Sequence, residues 1–506
     1  MRWELDWLEN RARLTPNKNA IIDGETNKAW SYEELNNRSK SVASWLESRG
    51  VKKGDRIALL SPNHISYFDL LFACGKIGAI FVPLNWRLSN SEIKGILQDC
   101  SPVLIGIHLR FQNMLTGLQT IDCTPFFVGN SSYEEMIFNS KCPQLLESIS
   151  EQDPLAIIYT GGTTGKPKGV VLSHQSIQWN AINTILSWSL TETDVTINYM
   201  PMFHTGGLNA LSIPVLMIGG TVVIGDQFEE EQAVNSINHY GCTIILLVPT
   251  MYHMLVQTEE FNRSKFPSMK IFLSGAAPCP LQIYEAFQKK GIAFKEGYGL
   301  TEAGPNNFFI RPEDAQEKQG SVGKPMLYNS IKLVKETGVE ASANEVGELL
   351  IKGKHSFSHY WNNQQATTET VKNGWVHTGD LAKKDEHGFF YIVGRKKDMI
   401  ITGGENVYPL EIEHWMAAYP GIDEVAVIGI PDEKWGERVA AIIVSKADHR
   451  LDEDELRTYC EKKLGRYKIP KSFIFIKELP KTHVGKIDKV KLKEMSIGIQ
   501  EARGEQ

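Results

Sequence analysis

A ten-residue segment at 160–169 combines glycines, hydroxyls and lysines in a pattern suited to holding a polyphosphate. Its order is Thr160, Gly161, Gly162, Thr163, Thr164, Gly165, Lys166, Pro167, Lys168 and Gly169, and an apolar run precedes it. Glycines let successive backbone N–H groups converge on an anion, threonine hydroxyls add donors, and lysines add positive charge. The sequence therefore predicts a buried strand that leads into a loop binding the phosphates of a nucleotide.

Spacing excludes two common phosphate-binding loops. A Walker A loop has four residues between its glycines and ends in Gly-Lys-Ser/Thr. Here three residues separate Gly161 from Gly165, and Pro167 follows Lys166. The G-x-G-x-x-G fingerprint of dinucleotide-binding proteins does not occur in the chain either. A flexible surface loop is the alternative, but the hydroxyls and lysines after an apolar strand favour a phosphate loop of another type.

A second motif places an acidic side chain beside a hydroxyl on a glycine-rich turn. It consists of Glu296, Gly297, Tyr298, Gly299, Leu300, Thr301 and Glu302. Mg²⁺ selects oxygen ligands, so Glu302 beside Thr301 is suited to a metal held against phosphates. The alternative is structural, because a Thr–Glu pair is also common where a helix begins.

Two further segments carry charged side chains suited to a nucleotide. Asp380 lies in a β-like segment, and Arg395 follows it fifteen residues later. The carboxylate could accept both ribose hydroxyls, and the arginine could reach the same sugar or a phosphate. Lys486 follows a glycine on a terminal turn and could enter an active site as a mobile charge. The alternatives are a turn aspartate, a surface arginine and a solvated lysine.

Length, charge and cysteine use bound the class of protein. A chain of 506 residues is expected to form two or more domains. With 54 basic and 60 acidic residues, the net charge of −6 argues against a general nucleic-acid or anionic-membrane surface. The seven cysteines are scattered without a C-x-x-C pair, which fits a reducing compartment. The N-terminal residues lack a signal-peptide pattern and no uninterrupted apolar stretch could span a membrane, so a cytoplasmic location is predicted.

The elements that must position these motifs alternate between helix and strand in the first part of the chain. Helical spacing covers 32–46, with Ser31 as the N-cap, and 65–77; strand-like runs cover 55–60, 79–83, 220–224 and 243–249. This alternation predicts parallel sheets covered by helices. Short runs after residue 320 indicate a small antiparallel unit, and residues 394–397 are predicted to be a solvated linker. From about 398 onward a compact α+β unit is predicted, with helices near 410–418 and 452–464.

Together, in this order and at these separations, the four motifs resemble those of the acyl-adenylate-forming superfamily. That group comprises acyl-CoA synthetases, luciferases and the adenylation domains of nonribosomal peptide synthetases. The resemblance runs from about residue 10 to 495 and implies an α/β fold. It implies a large N-terminal domain, residues 1–396, of βα-layered sheets plus a small β-barrel-like unit. A smaller, mobile α+β C-terminal domain, residues 397–506, would complete an active site in the cleft between the two.

The resemblance also implies roles for individual residues. Thr301 would contact the α-phosphate, Glu302 would bind Mg²⁺, Asp380 and Arg395 would hold the ribose, and Lys486 would stabilise charge during adenylation. Lys486, Thr301 and His204 are the predicted catalytic residues, with a structural histidine as the alternative for His204. The implied ATP-binding residues are Thr160, Gly161, Gly162, Thr163, Thr164, Gly165, Lys166, Lys168, Gly275, Ala276, Ala277, Glu296, Gly297, Tyr298, Gly299, Thr301, Asp380, Arg395 and Lys486.

The resemblance has three more implications, which concern the transfer of the acyl group to coenzyme A, the hinge between the domains and the segment 160–169. The turn of Gly403, Gly404 and Glu405 would face the coenzyme A arm, and Lys397 would be the hinge between the domains. Gly161 departs from the family pattern, which usually has serine there, so one hydroxyl donor is lost.

The sequence indicates the type of reaction more clearly than it indicates which acid is the substrate. The resemblance places the acyl pocket among 199–209, 274–281 and 297–309, which contain no Lys or Arg. An unpaired buried charge is costly, so an apolar fatty or aryl acid is predicted over a diacid. Glycines at 206, 207, 275 and 299 would leave room for it, with turn geometry as the alternative.

The predicted activity is an ATP- and Mg²⁺-dependent carboxylate–CoA ligase, with coenzyme A as co-substrate and a homodimer as a base-rate expectation. An enzyme that loads a carrier protein and a catalytically silent nucleotide-binding regulator are the alternatives.

Overall fold

The computed structural model describes residues 4–114, 122–139, 149–161, 167–432, 434–447, 449–482 and 487–504. The strands are β1 (Asn19–Asp23), β2 (Ala29–Ser31), β3 (Arg56–Leu60), β4 (Ile80–Pro83), β5 (Leu104–His108), β6 (Thr124–Val128), β7 (Pro154–Thr160), β8 (Lys168–Ser173), β9 (Val195–Asn198), β10 (Thr221–Ile224), β11 (Ile244–Leu247), β12 (Ile271–Ser274), β13 (Phe294–Glu296), β14 (Phe308–Phe309), β15 (Lys324–Pro325), β16 (Ser330–Val334), β17 (Val346–Lys352), β18 (His359–Tyr360), β19 (Val371–Lys372), β20 (Trp375–Lys384), β21 (Phe390–Arg395), β22 (Ile400–Thr402), β23 (Glu405–Val407), β24 (Ile422–Asp432), β25 (Gly436–Ser445) and β26 (Ser472–Phe475).

The helices are α1 (Trp7–Leu14), α2 (Tyr32–Ser48), α3 (Ser66–Ile77), α4 (Asn90–Cys100), α5 (Ser131–Asn139), α6 (His174–Trp188), α7 (Thr205–Leu208), α8 (Ser212–Ile218), α9 (Glu230–His239), α10 (Pro249–Leu255), α11 (Glu259–Arg263), α12 (Leu281–Lys289), α13 (Pro312–Glu317), α14 (Gln364–Thr370), α15 (Pro409–Ala417), α16 (Glu453–Glu461) and α17 (Lys489–Gly504). Short 3₁₀ turns cover Leu109–Met114, Thr301–Ala303, Lys396–Asp398 and Arg466–Lys468. No helix in these ranges is both long and apolar enough to cross a bilayer.

Three sheets build the larger part of the chain, and the predicted βα alternation is confirmed. A seven-stranded sheet has the order β18-β8-β7-β4-β3-β5-β6, a four-stranded sheet the order β2-β1-β10-β9, and a three-stranded sheet the order β11-β12-β13. The pairs from β4 through β3 and β5 to β6 are parallel, as are those of β11, β12 and β13. The inner strands of these sheets, β3, β4 and β12, are buried along almost their whole length, as their apolar runs predict.

Local signals account for the helix boundaries. The predicted N-cap of α2 is confirmed: Ser31 accepts from the Glu34 N–H while the Glu34 carboxylate accepts from the Ser31 N–H. Helix α3 stops at Gly78, whose φ of +71° is a left-handed conformation that favours glycine.

The predicted antiparallel unit is a five-stranded sheet of order β16-β17-β20-β19, with β21 also paired to β20. One boundary was wrong: residues 394 and 395 are not a linker but the last two residues of β21, paired to Leu381 and Asp380 of β20. The exposed residues begin at Arg395 itself and continue through Lys396 and Lys397, in the 3₁₀ turn Lys396–Asp398. Pairing across the ladder satisfies the backbone groups that a linker would leave to water.

The C-terminal residues form an α+β unit around their own core. Its sheet has the order β23-β22-β25-β24, and β26 lies parallel to β25. Apolar residues of α15 and α16 pack on one face of this sheet, and Leu492 of α17 packs on the other. A hydrogen bond from Gln282 Nε2 to the Ala417 carbonyl, 3.2 Å, connects this unit to the larger part.

Candidate active site

The carboxyl ends of two parallel strands open into the glycine-rich turns that the sequence singled out. Ser274 of β12 is paired with Glu296 of β13, and the Gly297 N–H donates to the Ser274 carbonyl at 2.8 Å. Gly275–Ala277 and Gly297–Gly299 therefore leave the sheet side by side. Ala276 has φ +70°, which costs a non-glycine residue roughly 1–2 kcal/mol and is found where surrounding structure enforces it. Ligands of open α/β sheets bind at this edge.

Glycine at two positions is required by backbone packing. A Cβ on Gly299 would lie 2.0 Å from the Pro305 carbonyl oxygen, and one on Gly207 would lie 2.2 Å from that of Pro201. Both glycines therefore allow a close approach of the chain to itself. The prediction that they leave room for the acid is wrong, and turn geometry is the reason for them.

Asp380 and Arg395 come together as the sequence predicted, and Tyr298 joins them. The Asp380 side chain is buried, its Oδ1 lies 2.7 Å from Arg395 Nε, and its Oδ2 accepts a hydrogen bond from the Tyr298 hydroxyl. The neighbouring Asp380 carboxylate raises the pKa of the Arg395 guanidinium, which opposes the effect of its partial burial. One carboxylate thus connects the 296–302 turn to the β20–β21 ladder.

Glu302 and Lys168 are connected through Tyr360, which sequence reasoning missed. The Tyr360 hydroxyl donates to Glu302 Oε1 at 2.8 Å, and Lys168 Nζ lies 5.1 Å from the Tyr360 ring centroid. This contact exists because β18 adds to β8, with Tyr360 opposite Val170. Thr301 begins the 3₁₀ turn and is buried; the preceding residue, Leu300, makes no side-chain cap, so the helix N-cap alternative does not apply. For Tyr360, the only signal in the sequence was that it is an aromatic residue in a short polar stretch.

The segment predicted to bind phosphates lies between two paired antiparallel strands. Thr160 ends β7 and lies opposite Lys168, which begins β8. Gly161 is exposed, and a Cβ added to it would have no atom within 4 Å. Gly162, Thr163, Thr164, Gly165 and Lys166, and also Lys486, lie outside the described residues.

The Glu296 carboxylate is held by neighbouring residues of the chain, and a contact of Glu296 with ATP stays a prediction. The carboxylate is buried, accepts from the Tyr284 hydroxyl at 2.7 Å, and accepts from the Cys279 N–H at 3.2 Å. Burial raises its pKa to about 7. By accepting from the Cys279 N–H, the Glu296 side chain holds the turn that follows β12.

His204 has a structural contact. Its Nδ1 accepts from the Gly206 N–H at 3.2 Å, which makes it the N-cap of α7. Such a cap orients the turn of residues 204–208, and the structural alternative accounts for this contact. A catalytic role for His204 stays a prediction.

The residues predicted for coenzyme A form an exposed hairpin. Gly403 and Gly404 connect β22 to β23 with φ +59° and +84°, the conformation of a tight two-residue turn. The Gly403 N–H donates to the Trp435 carbonyl at 2.8 Å, and Glu405 is exposed. Lys397 lies in the exposed 3₁₀ turn that follows β21.

A cavity beside Thr301 is lined by two of the three segments predicted for the acyl group. Its walls also include residues of α6 and His355, which sequence reasoning missed. The lining residues are Leu172, Ser176, Ile177, Asn180, Thr205, Asn209, Thr301, Gly304, Pro305 and His355. Burial lowers the pKa of His355 to about 4, so this histidine is neutral at ordinary pH. The polar spacing of Ser176 and Asn180 on one face of α6 was the available signal.

Comparison with known proteins supports the assignment of class. The family model of the AMP-binding enzyme matches residues 8–361, and that of the AMP-binding enzyme C-terminal domain matches residues 411–486. The chain belongs to the AMP-binding enzyme family. Membership confirms the resemblance predicted from the sequence and the predicted class of enzyme, an AMP-forming acid–thiol ligase.

Curated relatives and solved structures cover nearly the whole chain. Feruloyl-CoA synthase of Amycolatopsis sp. is 35% identical over 95% of this chain and 96% of its own length. Indoleacetate–CoA ligase of Aromatoleum aromaticum is 35% identical over 97% of each. The structure of o-succinylbenzoate coenzyme A synthetase of Bacillus subtilis with ATP and magnesium is 32% identical, with a TM-score of 0.85 over 95% of this chain and 98% of that one. The same synthetase in complex with its acyl-adenylate intermediate has a TM-score of 0.88.

Proposed function

We propose that this chain activates a carboxylic acid with ATP as an acyl-adenylate and then transfers the acyl group to coenzyme A. One observation carries the proposal: three motifs distant in sequence meet at the edge of β12 and β13. The Asp380 carboxylate binds Tyr298 and Arg395, while Tyr360 donates a hydrogen bond to Glu302 and its ring contacts the Lys168 ammonium group. An anion-binding loop, a metal-binding carboxylate and a ribose-binding pair are the parts that such a reaction needs.

In the proposed mechanism a carboxylate oxygen of the acid attacks the α-phosphorus of ATP. The bond from that phosphorus to the bridging oxygen breaks, and pyrophosphate leaves. The thiol of coenzyme A then attacks the acyl carbon, loses its proton, and expels AMP. Asp380 and Arg395 hold the ribose, Thr301 contacts the α-phosphate, and Lys486 stabilises the charge of the first transition state. No covalent intermediate on the protein is required.

Glu302 is the proposed ligand for Mg²⁺. Magnesium in such sites binds one or two carboxylates together with substrate phosphates, so a single carboxylate beside a phosphate loop fits it. When bound, the ion would neutralise phosphate charge. The hydrogen bond from Tyr360 fixes the orientation of the Glu302 carboxylate, and this is the part that the chain itself supplies.

The acid is proposed to carry an uncharged aromatic or aliphatic tail. The lining of the cavity beside Thr301 has no Lys, Arg, Asp or Glu. The names of the relatives, feruloyl-CoA synthase and indoleacetate–CoA ligase, support an aromatic acid.

Further proposals concern the whole chain. They are a domain boundary between 396 and 397, a hinge at Lys397, a coenzyme A contact at Gly403–Glu405, and a cytoplasmic location. A homodimer stays a prediction from base rates.

A direct assay tests the reaction. The purified chain is incubated with ATP, Mg²⁺ and a panel of fatty and aromatic acids, with and without coenzyme A, and AMP is measured. We expect AMP to accumulate with at least one acid, at a rate that coenzyme A increases and EDTA abolishes. Absence of AMP with every acid would contradict the ligase. AMP release that needs a phosphopantetheinyl carrier protein would favour the carrier-loading alternative.

A further inference from the structure

One face of the five-stranded sheet carries three lysines that surround a tryptophan. The Nζ atoms of Lys332 on β16 and Lys352 on β17 lie 4.5 and 6.0 Å from the centroid of the Trp375 ring. Lys372 on β19 is opposite Trp375 of β20 in the adjacent ladder. The three lysines are exposed, and in the part of the chain that the structure describes none of them forms an ion pair. Their positive charges are therefore open to a partner outside the chain.

The sequence around this face is locally basic, although the chain as a whole has a net charge of −6. The segments 179–191, 321–335, 349–361 and 371–379 contain no Asp or Glu, yet they contain six lysines. Glu348, near the start of β17, lies 3.5 Å from His377 Nδ1 and 3.4 Å from Lys396 Nζ. Its charge is therefore met at the far end of β17, and the lysines keep a local excess of positive charge.

Exposed apolar side chains border these lysines. Leu327 and Tyr328, just before β16, are 66% and 48% exposed, and Leu186 on α6 is 51% exposed. The Tyr328 ring packs edge to face on that of Trp179, and Lys354 Nζ lies 4.6 Å from the centroid of the same Trp179 ring. Trp179 thus connects the apolar residues to the lysines in one surface. We call it the lysine–leucine face; it consists of the three exposed apolar residues with Lys332, Lys352, Lys354 and Lys372.

The apolar part of this face is held in place by backbone hydrogen bonds. The Leu327 N–H donates to Ser187 Oγ and the Tyr328 N–H to Asn183 Oδ1, each at 3.1 Å. These bonds fix the turn against α6 while the Leu327 side chain stays in solvent. Single exposed leucines are common on protein surfaces, but three apolar side chains together, bordered by polar residues, indicate an interaction site.

We propose that the lysine–leucine face docks on an anionic lipid bilayer. The lysines contact the lipid phosphates, and the three apolar side chains lie at the boundary between head groups and acyl chains. Interfacial binding combines these two contributions, buried apolar area and electrostatic attraction to anionic lipids. Tyrosine suits this boundary because its ring is apolar and its hydroxyl is polar. The inference goes beyond the proposed function, since docking does not depend on the reaction that the chain catalyses.

Two other occupants fit this face less well. A twofold dimer uses the same surface patch on both subunits, so it would bring the unpaired lysines of two copies together. A nucleic acid would attract the lysines, but its polar interface would leave Leu186 and Leu327 without a partner. An anionic bilayer accommodates both the charge and the apolar side chains.

A flotation experiment tests the docking. The purified full-length chain is mixed with vesicles of phosphatidylcholine alone, or with vesicles of equal parts phosphatidylcholine and phosphatidylglycerol. We expect the chain to float with the anionic vesicles and to stay behind with the neutral ones. The bound fraction should fall as salt is added, because salt screens interactions between exposed charges.

Removal of the lysines connects binding to this face. We expect the combined variant Lys332→Gln, Lys352→Gln and Lys372→Gln to lower the partition coefficient on anionic vesicles roughly a hundredfold, at about fivefold for each lysine. The matched control replaces three exposed lysines elsewhere in the chain, Lys52, Lys265 and Lys289, by glutamine. It removes the same charge and should change binding far less.

A second variant tests the apolar contribution. Leu327→Ser should lower the partition coefficient about tenfold, because less apolar area enters the interface. Leu14→Ser is the matched control, since Leu14 is 67% exposed at the end of α1, outside this face. Every substituted side chain is exposed, and circular dichroism checks that each variant is folded.

Four outcomes would overturn the inference. The wild-type chain could bind anionic vesicles no better than neutral ones, which decides the question without any variant. The lysine variant could lose no more binding than its control. Sedimentation velocity without lipid could show a dimer that Leu327→Ser dissociates, so that the face is an interface between two copies. Duplex DNA could bind to the face at the same salt concentration with an affinity that Leu327→Ser leaves unchanged.

Discussion

Lys295 and Glu296 are neighbours on β13 whose charged groups are buried on opposite faces of the same sheet. Lys295 Nζ lies over the rings of Trp188 and Phe309, 4.3 and 4.8 Å from their centroids, whereas the Glu296 carboxylate binds Tyr284 and Cys279. Among the described residues neither forms an ion pair. Because successive strand residues point to opposite faces, adjacency in sequence does not let these two charges neutralise each other.

Lys295→Met should flatten the dependence of stability on pH. Burial lowers the pKa of Lys295 to about 7, against 10.5 for an unshifted lysine. Unfolding exposes a group that binds its proton more tightly, so the wild-type free energy of unfolding should rise as pH increases from 7 to 10. Each pKa unit corresponds to about 1.4 kcal/mol, so the effect is on the order of a few kcal/mol.

Urea unfolding at pH 7, 8.5 and 10 would measure the free energy of unfolding of the wild type and of Lys295→Met. The difference between their two pH dependences is the contribution of Lys295. Lys354→Met is the matched control, because Lys354 also lies over a tryptophan ring, that of Trp179, but is exposed. A wild-type curve with the same slope as that of Lys295→Met would contradict a buried, deprotonating lysine.

Asp380→Asn should weaken ATP binding more than Tyr298→Phe. The aspartate contacts both Arg395 and Tyr298, whereas the phenylalanine removes one hydrogen bond from a carboxylate that keeps its arginine. Hydrogen bonds to charged groups contribute roughly 1.5–3 kcal/mol, so the KM for ATP should rise about 10- to 100-fold in Asp380→Asn. The KM for coenzyme A should change little.

The control for this prediction is Asp385→Asn, at the turn between β20 and β21. Its carboxylate lies 2.8 Å from Lys318 Nζ, at the other end of the same hairpin. An equal rise in the KM for ATP in both variants would point to general distortion of the hairpin and against a ribose contact.

Gly161→Ser should lower the KM for ATP. A side chain fits at this position because a Cβ would meet no atom within 4 Å, and the serine hydroxyl restores the donor that the family pattern usually has. One added hydrogen bond to a charged phosphate predicts an improvement of roughly two- to tenfold. Gly161→Ala supplies the Cβ without the hydroxyl and should give no gain; an equal effect of both substitutions would attribute it to loop stiffening.

Lys486→Ala should separate the two half-reactions. Formation of acyl-adenylate, followed as pyrophosphate release, should fall by orders of magnitude, because the transition state loses a positive charge. Thioester formation from a pre-made acyl-adenylate should survive. Lys481→Ala is the control, since Lys481 is paired with Glu424 at 2.6 Å. Equal loss of both half-reactions would contradict a role for Lys486 in adenylation alone.

Local patterns in the sequence were sufficient to predict the helices and strands and part of the candidate active site. The cap of Ser31 and Glu34 acts over three residues, and apolar periodicity marked the strands that lead to the motifs. Asp380 and Arg395 were also recognisable, because a hairpin brings them face to face.

Contacts that depend on tertiary assembly were not predictable in the same way. Tyr360 reaches Glu302 only because β18 adds to the edge of β8, and the periodicity of neither strand encodes that pairing. Strand alternation places the Glu296 carboxylate opposite the Lys295 side chain, where the Tyr284 hydroxyl and the Cys279 N–H bind it, and the motif alone does not encode those two partners. The cavity beside Thr301 forms only once α6, α7 and the Gly304 turn are in place.

The pairing of β18 with β8 has a consequence for synthesis of the chain. The edge of β8 at Val171 is completed by His359, 188 residues later, so ribosomes adding about 5–20 residues per second leave it bare for roughly ten to forty seconds. During that interval an apolar edge strand is available to other nascent chains. The same event that brings Tyr360 to Glu302 ends this exposure. We therefore expect truncated chains that stop before residue 359 to aggregate, whereas those that extend past β18 protect this edge.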